Sequence, residues 1–218
     1  MVKGPGKGLK TGSPCDKGSL FLYFALSLLA FFPCLFLGQA YFDNDLLAQF
    51  GPWRAFLKDQ LAQGHFPLWN PYSMGGQPFF ADLQNMMLYP FNYLTLPFPV
   101  PFGLSLFFFI HMFWAALGMH LWLRSLDLSE NSCRAGALLF CLSGFFWLEL
   151  IHPPVLAAFA WLPWLFGGLE RLAGDPKPRK AFFSGFFFAM LFLCGSFQVT
   201  VGAFYGGLAY FLFRVLQE

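Results

Sequence analysis

Residues 19–39 read SLFLYFALSLLAFFPCLFLGQ, a run without a single charged side chain. At 1.5 Å rise per helical residue it reaches about 30 Å, the thickness of the hydrocarbon core of a bilayer. A secretory signal peptide is the competing reading, because Gly38-Gln39-Ala40 has the small-x-small form of a cleavage site. Signal-peptide apolar regions are about 7 to 15 residues long, shorter than this run, so the stretch reads as a retained membrane anchor.

The rest of the chain agrees with a membrane environment. Hydrophobic residues make up 57% of the sequence and charged residues 11%, against about 25% charged in ordinary soluble domains. A soluble fold of 218 residues could not keep 33 Phe rings away from water. Further apolar runs at about 102–123, 135–151, 155–172, 181–197 and 199–214 bring the expected spans to six. Several lie near the lower length limit, which keeps tilt small or leaves a segment half inserted. The expected architecture is all-α, a polytopic helical membrane domain over residues 19–218. It follows a flexible tail at 1–18 and encloses a large external loop at 40–101. With the tail inside, Lys3, Lys7, Lys10, Lys17, Arg124, Arg134, Arg171, Lys177, Arg179, Lys180 and Arg214 fall on the cytoplasmic side. Only Arg54 and Lys58 fall outside, a strong positive-inside bias that puts both termini in the cytoplasm. Nucleic-acid binding has no support, since no basic run interleaves with aromatic residues. The five scattered cysteines lack C-x-x-C spacing and read as small apolar fillers.

The large loop is where polar groups collect. In it, Leu46, Leu47, Phe50, Trp53, Phe56, Leu57 and Leu61 recur at near-helical spacing, and Pro52 and Gly64 bracket a helix over about 52–63. Arg54, Lys58, Asp59, Gln60 and Gln63 are assigned to its other face, giving an interfacial amphipathic helix. Beyond it, residues 64–94 read GHFPLWNPYSMGGQPFFADLQNMMLYPFNYL. Gly75-Gly76 supplies a turn with positive φ. A short helix is expected around Ala81–Leu88, ended by Pro90. Pro97, Pro99 and Pro101 then keep the approach to the next span extended.

One family pattern runs through this region. Asp45-x-x-x-Gln49 with Pro52-Trp53-Arg54, Gly64-x-x-Pro-Leu-Trp-Asn-Pro-Tyr72, Gly76-Gln77-Pro78 and Gln84-x-x-x-x-Tyr89-Pro90-x-Asn92 together resemble the first external loop of the YfhO-type membrane proteins. Weaker echoes are Ser143-Gly144-Phe145 with Ala160-Trp161-Leu162-Pro163, and Gly195-Ser196-Phe197-Gln198, where the family pattern would have His in place of Ser196. The resemblance implies a GT-C type glycosyltransferase of the bacterial cytoplasmic membrane. Such an enzyme takes sugar from a polyprenyl-phosphate donor to a glycan or other cell-envelope acceptor. Family members are longer, so the chain corresponds to the N-terminal part of such a protein.

Candidate residues follow from that chemistry. Displacing a phosphate with an acceptor hydroxyl requires a base, and a carboxylate just outside a span is suited to it. The family register puts that acid at Asp45, with Asp43 the second choice; the structural alternative for either is capping of the next helix. Arg54 and Lys58, spaced i and i+4, would meet donor phosphate or simply anionic lipid headgroups, the latter favoured for Lys58. Gln49, Trp69, Asn70, Tyr72, Gln77 and Gln84 offer the amides and aromatic faces that bind sugars. Tyr89 and Tyr93 read as interface-belt residues. Glu149 and His152, before Pro153-Pro154, stand at the outer edge of a span as ionisable groups able to contact substrate. His111, deep in a span, reads as a neutral ring bonded to a neighbouring helix. Asp43, Asp45, Glu149 and His152 in one vestibule would suit a divalent cation, although their spacing does not demand one. A transport, lipid-handling or scaffold module is the rival without chemistry.

Overall fold

The computed structural model describes residues 15–41, 43 and 45–217. The first fourteen residues of the expected tail, with Lys3, Lys7 and Lys10, lie outside the described residues. The helices are α1 (Lys17–Phe36), α2 (Gly51–Ala62), α3 (Pro90–Thr95), α4 (Val100–Ser125), α5 (Glu130–Cys141), α6 (Gly144–Leu148), α7 (Pro153–Gly174), α8 (Pro178–Leu193) and α9 (Phe197–Gln217). A two-residue antiparallel pair, β1 (Trp69–Asn70) and β2 (Gln77–Pro78), closes the Gly75-Gly76 turn. Both glycines there have positive φ, 76° and 110°.

Five stretches are long and apolar enough to cross a membrane: α1, α4, the Glu130–Ile151 run, α7 and α9. This is a multi-pass helical membrane architecture. The expected span at 181–197 is α8, whose 16 residues reach about 24 Å at 1.5 Å each, short of a full hydrocarbon core. The expected continuous span at 135–151 is broken. α5 ends at Cys141, Ser143 caps the next helix by accepting the Phe146 N–H, and a 3-10 turn at Glu149–Ile151 finishes the segment. A hydroxyl that competes for backbone donors, followed by Gly144, interrupts the helix where hydropathy alone shows no break.

α4 and α7 form the centre of the bundle, with α1 and α5 against α4, and α8 and α9 against α7. Close approach at the centre relies on a small residue. A Cβ on Gly118 of α4 would lie 2.4 Å from the Trp164 indole nitrogen, which itself donates to the Trp114 carbonyl. At the end opposite the 37–99 loop, Ser19 of α1 and Arg134 of α5 meet Glu130, while Tyr23 bonds His120 at 2.7 Å. Nearby, buried Glu170 of α7 takes Arg214 and the Tyr210 hydroxyl of α9. Removing one partner from such a buried pair strands a charge, so these contacts fix which helices are neighbours.

The loop differs from expectation in two places. Pro90 begins α3 rather than ending a helix, because a residue without an N–H is favoured in the first turn, where no intrahelical acceptor awaits it. The 81–88 segment holds only a 3-10 turn, Leu83–Asn85, capped by Asp82. Tyr89 is fully buried instead of sitting in a belt. Its oxygen accepts the Trp161 indole N–H at 2.7 Å and its hydroxyl donates to His111 Nε2 at 2.7 Å. The other His111 nitrogen faces the Phe107 carbonyl, which can only accept, so the proton sits on Nδ1 and the chain of donors closes. Tyr93 donates to the Met87 carbonyl at 2.6 Å.

Candidate functional site

The turn that enters α2 sets the site. Leu46–Phe50 is a π-helical turn, closed by Gly51 N–H to Leu46 O. Pro52 cannot donate to the Ala48 carbonyl and its ring would crowd that oxygen, so the wider turn accommodates it. Asp45 opens the turn without capping it through its side chain. Its Oδ2 instead lies 2.9 Å from Nε2 of His152, and Nδ1 of the same ring lies 2.9 Å from Glu149 Oε2. Each ring nitrogen of His152 thus faces one carboxylate oxygen, which fixes the imidazole from both sides. The Phe50 ring meets the imidazole edge-on, with centroids 6.2 Å apart. Asp43 is exposed, and its carbonyl receives the Leu47 N–H at 3.1 Å.

His152 and Glu149 form part of the wall of a cavity of about 700 Å³. Gln84, Phe145, Ser196, Phe197 and Gln198 are among the residues that complete it. The cavity thus joins the 3-10 turn of the loop, the broken α5–α6 segment, the start of α7 and the α8–α9 turn. Gly195 makes the last of these joints: its φ is +87°, and a Cβ there would lie 2.0 Å from the Leu83 carbonyl oxygen. Gln49 stands one residue behind, its amide reaching Gln84 Oε1 at 3.4 Å. The two weaker sequence echoes, around Phe145 and at 195–198, therefore supply cavity wall. Phe145, Ser196 and Gln198 received no role in the sequence reading, although those echoes carried the signal.

The other candidates lie elsewhere. Arg54 is buried, bonded to Asn92 Oδ1 at 2.7 Å, to the Asn92 carbonyl at 3.4 Å and to the Thr95 hydroxyl. It follows Phe50 by four residues and precedes Leu57 by three, so it shares their inward face rather than the solvent face assigned to it. Burial lowers its guanidinium pKa to about 10. Lys58 donates to the carbonyls of Pro97 and Phe98, both at 2.9 Å. Trp69 is exposed and packs its ring on Gly76; Tyr72 is exposed and touches Phe56 edge-on. Asn70 is buried and accepts the Tyr72 N–H at 3.0 Å, an Asx turn that shapes the loop. The Gln77 amide nitrogen is buried without a hydrogen-bond partner.

Among the described residues no group of three or more His, Cys, Asp or Glu is arranged to hold a metal ion. Comparisons with family models, with curated proteins and with solved structures give no match.

Proposed function

We propose that this protein is a membrane glycosyltransferase of the GT-C type. It transfers a sugar from a polyprenyl-phosphate donor to a glycan or other cell-envelope hydroxyl at the outer face of a bacterial cytoplasmic membrane. In this reading α8 completes six crossings, the N-terminus is cytoplasmic, and the 40–101 loop lies outside, as the distribution of Lys and Arg favours.

The observation that carries the reading is the Asp45–His152–Glu149 chain, whose His152 and Glu149 stand in the wall of a cavity that Gln84, Ser196 and Gln198 also line, with Asp45 one hydrogen bond behind His152. The acceptor oxygen attacks the anomeric carbon, the bond from that carbon to the phosphate oxygen breaks, and polyprenyl phosphate leaves with the bonding pair. Asp45 takes the acceptor's proton. His152 holds Asp45 in place, and Glu149 fixes the imidazole from the other side. A transport path would need polar groups running through the spans. Tyr89, His111 and Trp161, buried at the bundle centre, instead bond one another and the Phe107 carbonyl.

The test is sugar transfer in membranes from cells expressing the protein and its Asp45→Asn variant. Loss of about 10²-fold or more, at unchanged expression, is expected for removal of a general base. Undiminished transfer eliminates Asp45 in that role. Flux or partner assembly that persists in the variant, with no transfer in the parent, favours the non-catalytic rival.

A further inference from the structure

We infer that the 700 Å³ cavity is built to take an uncharged polyhydroxyl group, a sugar ring, and to keep a phosphate out of it. This deepens the transferase reading and rests on it for the identity of the donor. The binding preference itself is measurable without turnover.

The wall chemistry carries the argument. Gln84, Ser196 and Gln198 present neutral donors and acceptors, while Phe50, Phe145 and Phe197 present aromatic surface. Amides and hydroxyls beside aromatic faces suit a ring that has hydroxyl edges and apolar C–H faces. The volume falls within the roughly 300–1,000 Å³ typical of small-molecule sites. Ser196 is only 4% exposed and its hydroxyl has no hydrogen-bond partner. A buried polar group in that state calls for a partner from the cavity side, and a ligand hydroxyl supplies one.

The charges run the other way for a phosphate. Among the described residues neither Lys nor Arg lines the cavity. Glu149 and His152 are in the wall and Asp45 is one hydrogen bond behind His152, so two carboxyl groups stand on this side of the cavity. An adjoining hollow of about 220 Å³ shares Gln84, Gly195 and Phe197 and adds a third acid, Asp82. The two cations of the loop are engaged elsewhere, Arg54 with Asn92 and Thr95, Lys58 with two backbone carbonyls. A negative phosphate brought among these carboxylates, whether the carrier's monoanionic diester or the monoester of a hexose 1-phosphate, would be repelled. The sugar enters, and the carrier's phosphate stays at the mouth, where water and counter-ions neutralise it.

The experiment is a calorimetric titration of the protein in phosphatidylcholine nanodiscs at pH 7. The probes are the methyl glycosides of glucose, mannose and galactose and the corresponding hexose 1-phosphates. At least one neutral glycoside is expected to bind, and its 1-phosphate about tenfold or more weakly. Ser196→Ala is expected to weaken the neutral glycoside by roughly threefold to tenfold. Glu149→Gln is expected to narrow the gap between the two probe classes. A 1-phosphate that binds as tightly as its glycoside overturns the proposal; so does the absence of glycoside binding, or an affinity indifferent to Ser196→Ala. The wild-type comparison needs no variant, so a misfolded substitution does not shelter the idea. If transfer survives Asp45→Asn while glycosides still outbind phosphates, the base assignment falls and this inference stands; the reverse pair of results sinks only the inference.

Discussion

Nε2 of His152 lies 2.9 Å from Oδ2 of Asp45, although the two residues are separated by 107 positions in the chain. The contact ties the first turn of the loop to the start of α7, and Glu149 grips the same ring from its own 3-10 turn. Three groups joined in series should act as one unit. In a transfer assay His152→Ala is expected to lower kcat by about 10²-fold. The double variant with Asp45→Asn should be hardly worse than Asp45→Asn alone. Independent, multiplying losses would show that His152 does not position Asp45.

Arg54 is expected to matter for folding rather than for the carrier. Arg54→Ala leaves the buried Asn92 Oδ1 without a donor, at about 1–3 kcal/mol, while the Thr95 hydroxyl keeps its bond to the Asn92 carbonyl. Arg54→Lys should restore only part of that, since an ammonium lacks the planar fork that reaches both partners. Thermal unfolding in detergent micelles reads the effect. A variant that unfolds like the parent but loses carrier binding would reverse the assignment.

Gly195 is the most constrained joint of the cavity. Gly195→Ala meets both a left-handed backbone and the Leu83 carbonyl, so a loss of at least about 1–3 kcal/mol is expected. Because the clash is with the segment that carries Gln84, the same variant should weaken any cavity ligand. Gly185→Ala, which has open space around its Cβ position, is the control on α8.

Tyr89→Phe removes one oxygen and strands two partners, the Trp161 indole N–H and His111 Nε2. The ring still fits, so the cost should come from hydrogen bonding alone, roughly 1–3 kcal/mol for each stranded group. Thermal unfolding together with tryptophan fluorescence, which senses the changed surroundings of Trp161, checks this.

Asp16 gives the pH dependence. Its carboxylate caps α1 by accepting the Ser19 N–H at 2.6 Å and also pairs with Arg134; these hydrogen bonds to Ser19 and this cation hold its pKa below 3.8. A depressed folded-state value means that the stabilisation is fully present above the unfolded value. It is lost as the pH falls below 3.8 and through the folded one. The difference in melting temperature between the parent and Asp16→Ala should therefore be present at pH 7 and shrink in strong acid. A difference that is flat with pH would remove the carboxylate from the account.

The chain's own order of residues determined the membrane architecture, the approximate ends of α2 and the Gly75-Gly76 turn. Each of these signals acts over a few neighbouring residues: an apolar run finds lipid cheaper than water, and Pro and Gly limit what the local backbone can do. Hydropathy could not locate the break at Leu142–Ser143, because a hydroxyl cap is nearly silent in such an average. Nor could it place Arg54, whose charge argues for solvent while its position between Phe50 and Leu57 turns it inward. The meeting of Asp45 with His152, and of Gly195 with Leu83, was decided only by packing. Which distant polar groups satisfy one another depends on how α4, α7 and the loop settle together, and that information is spread over contacts that no short window contains.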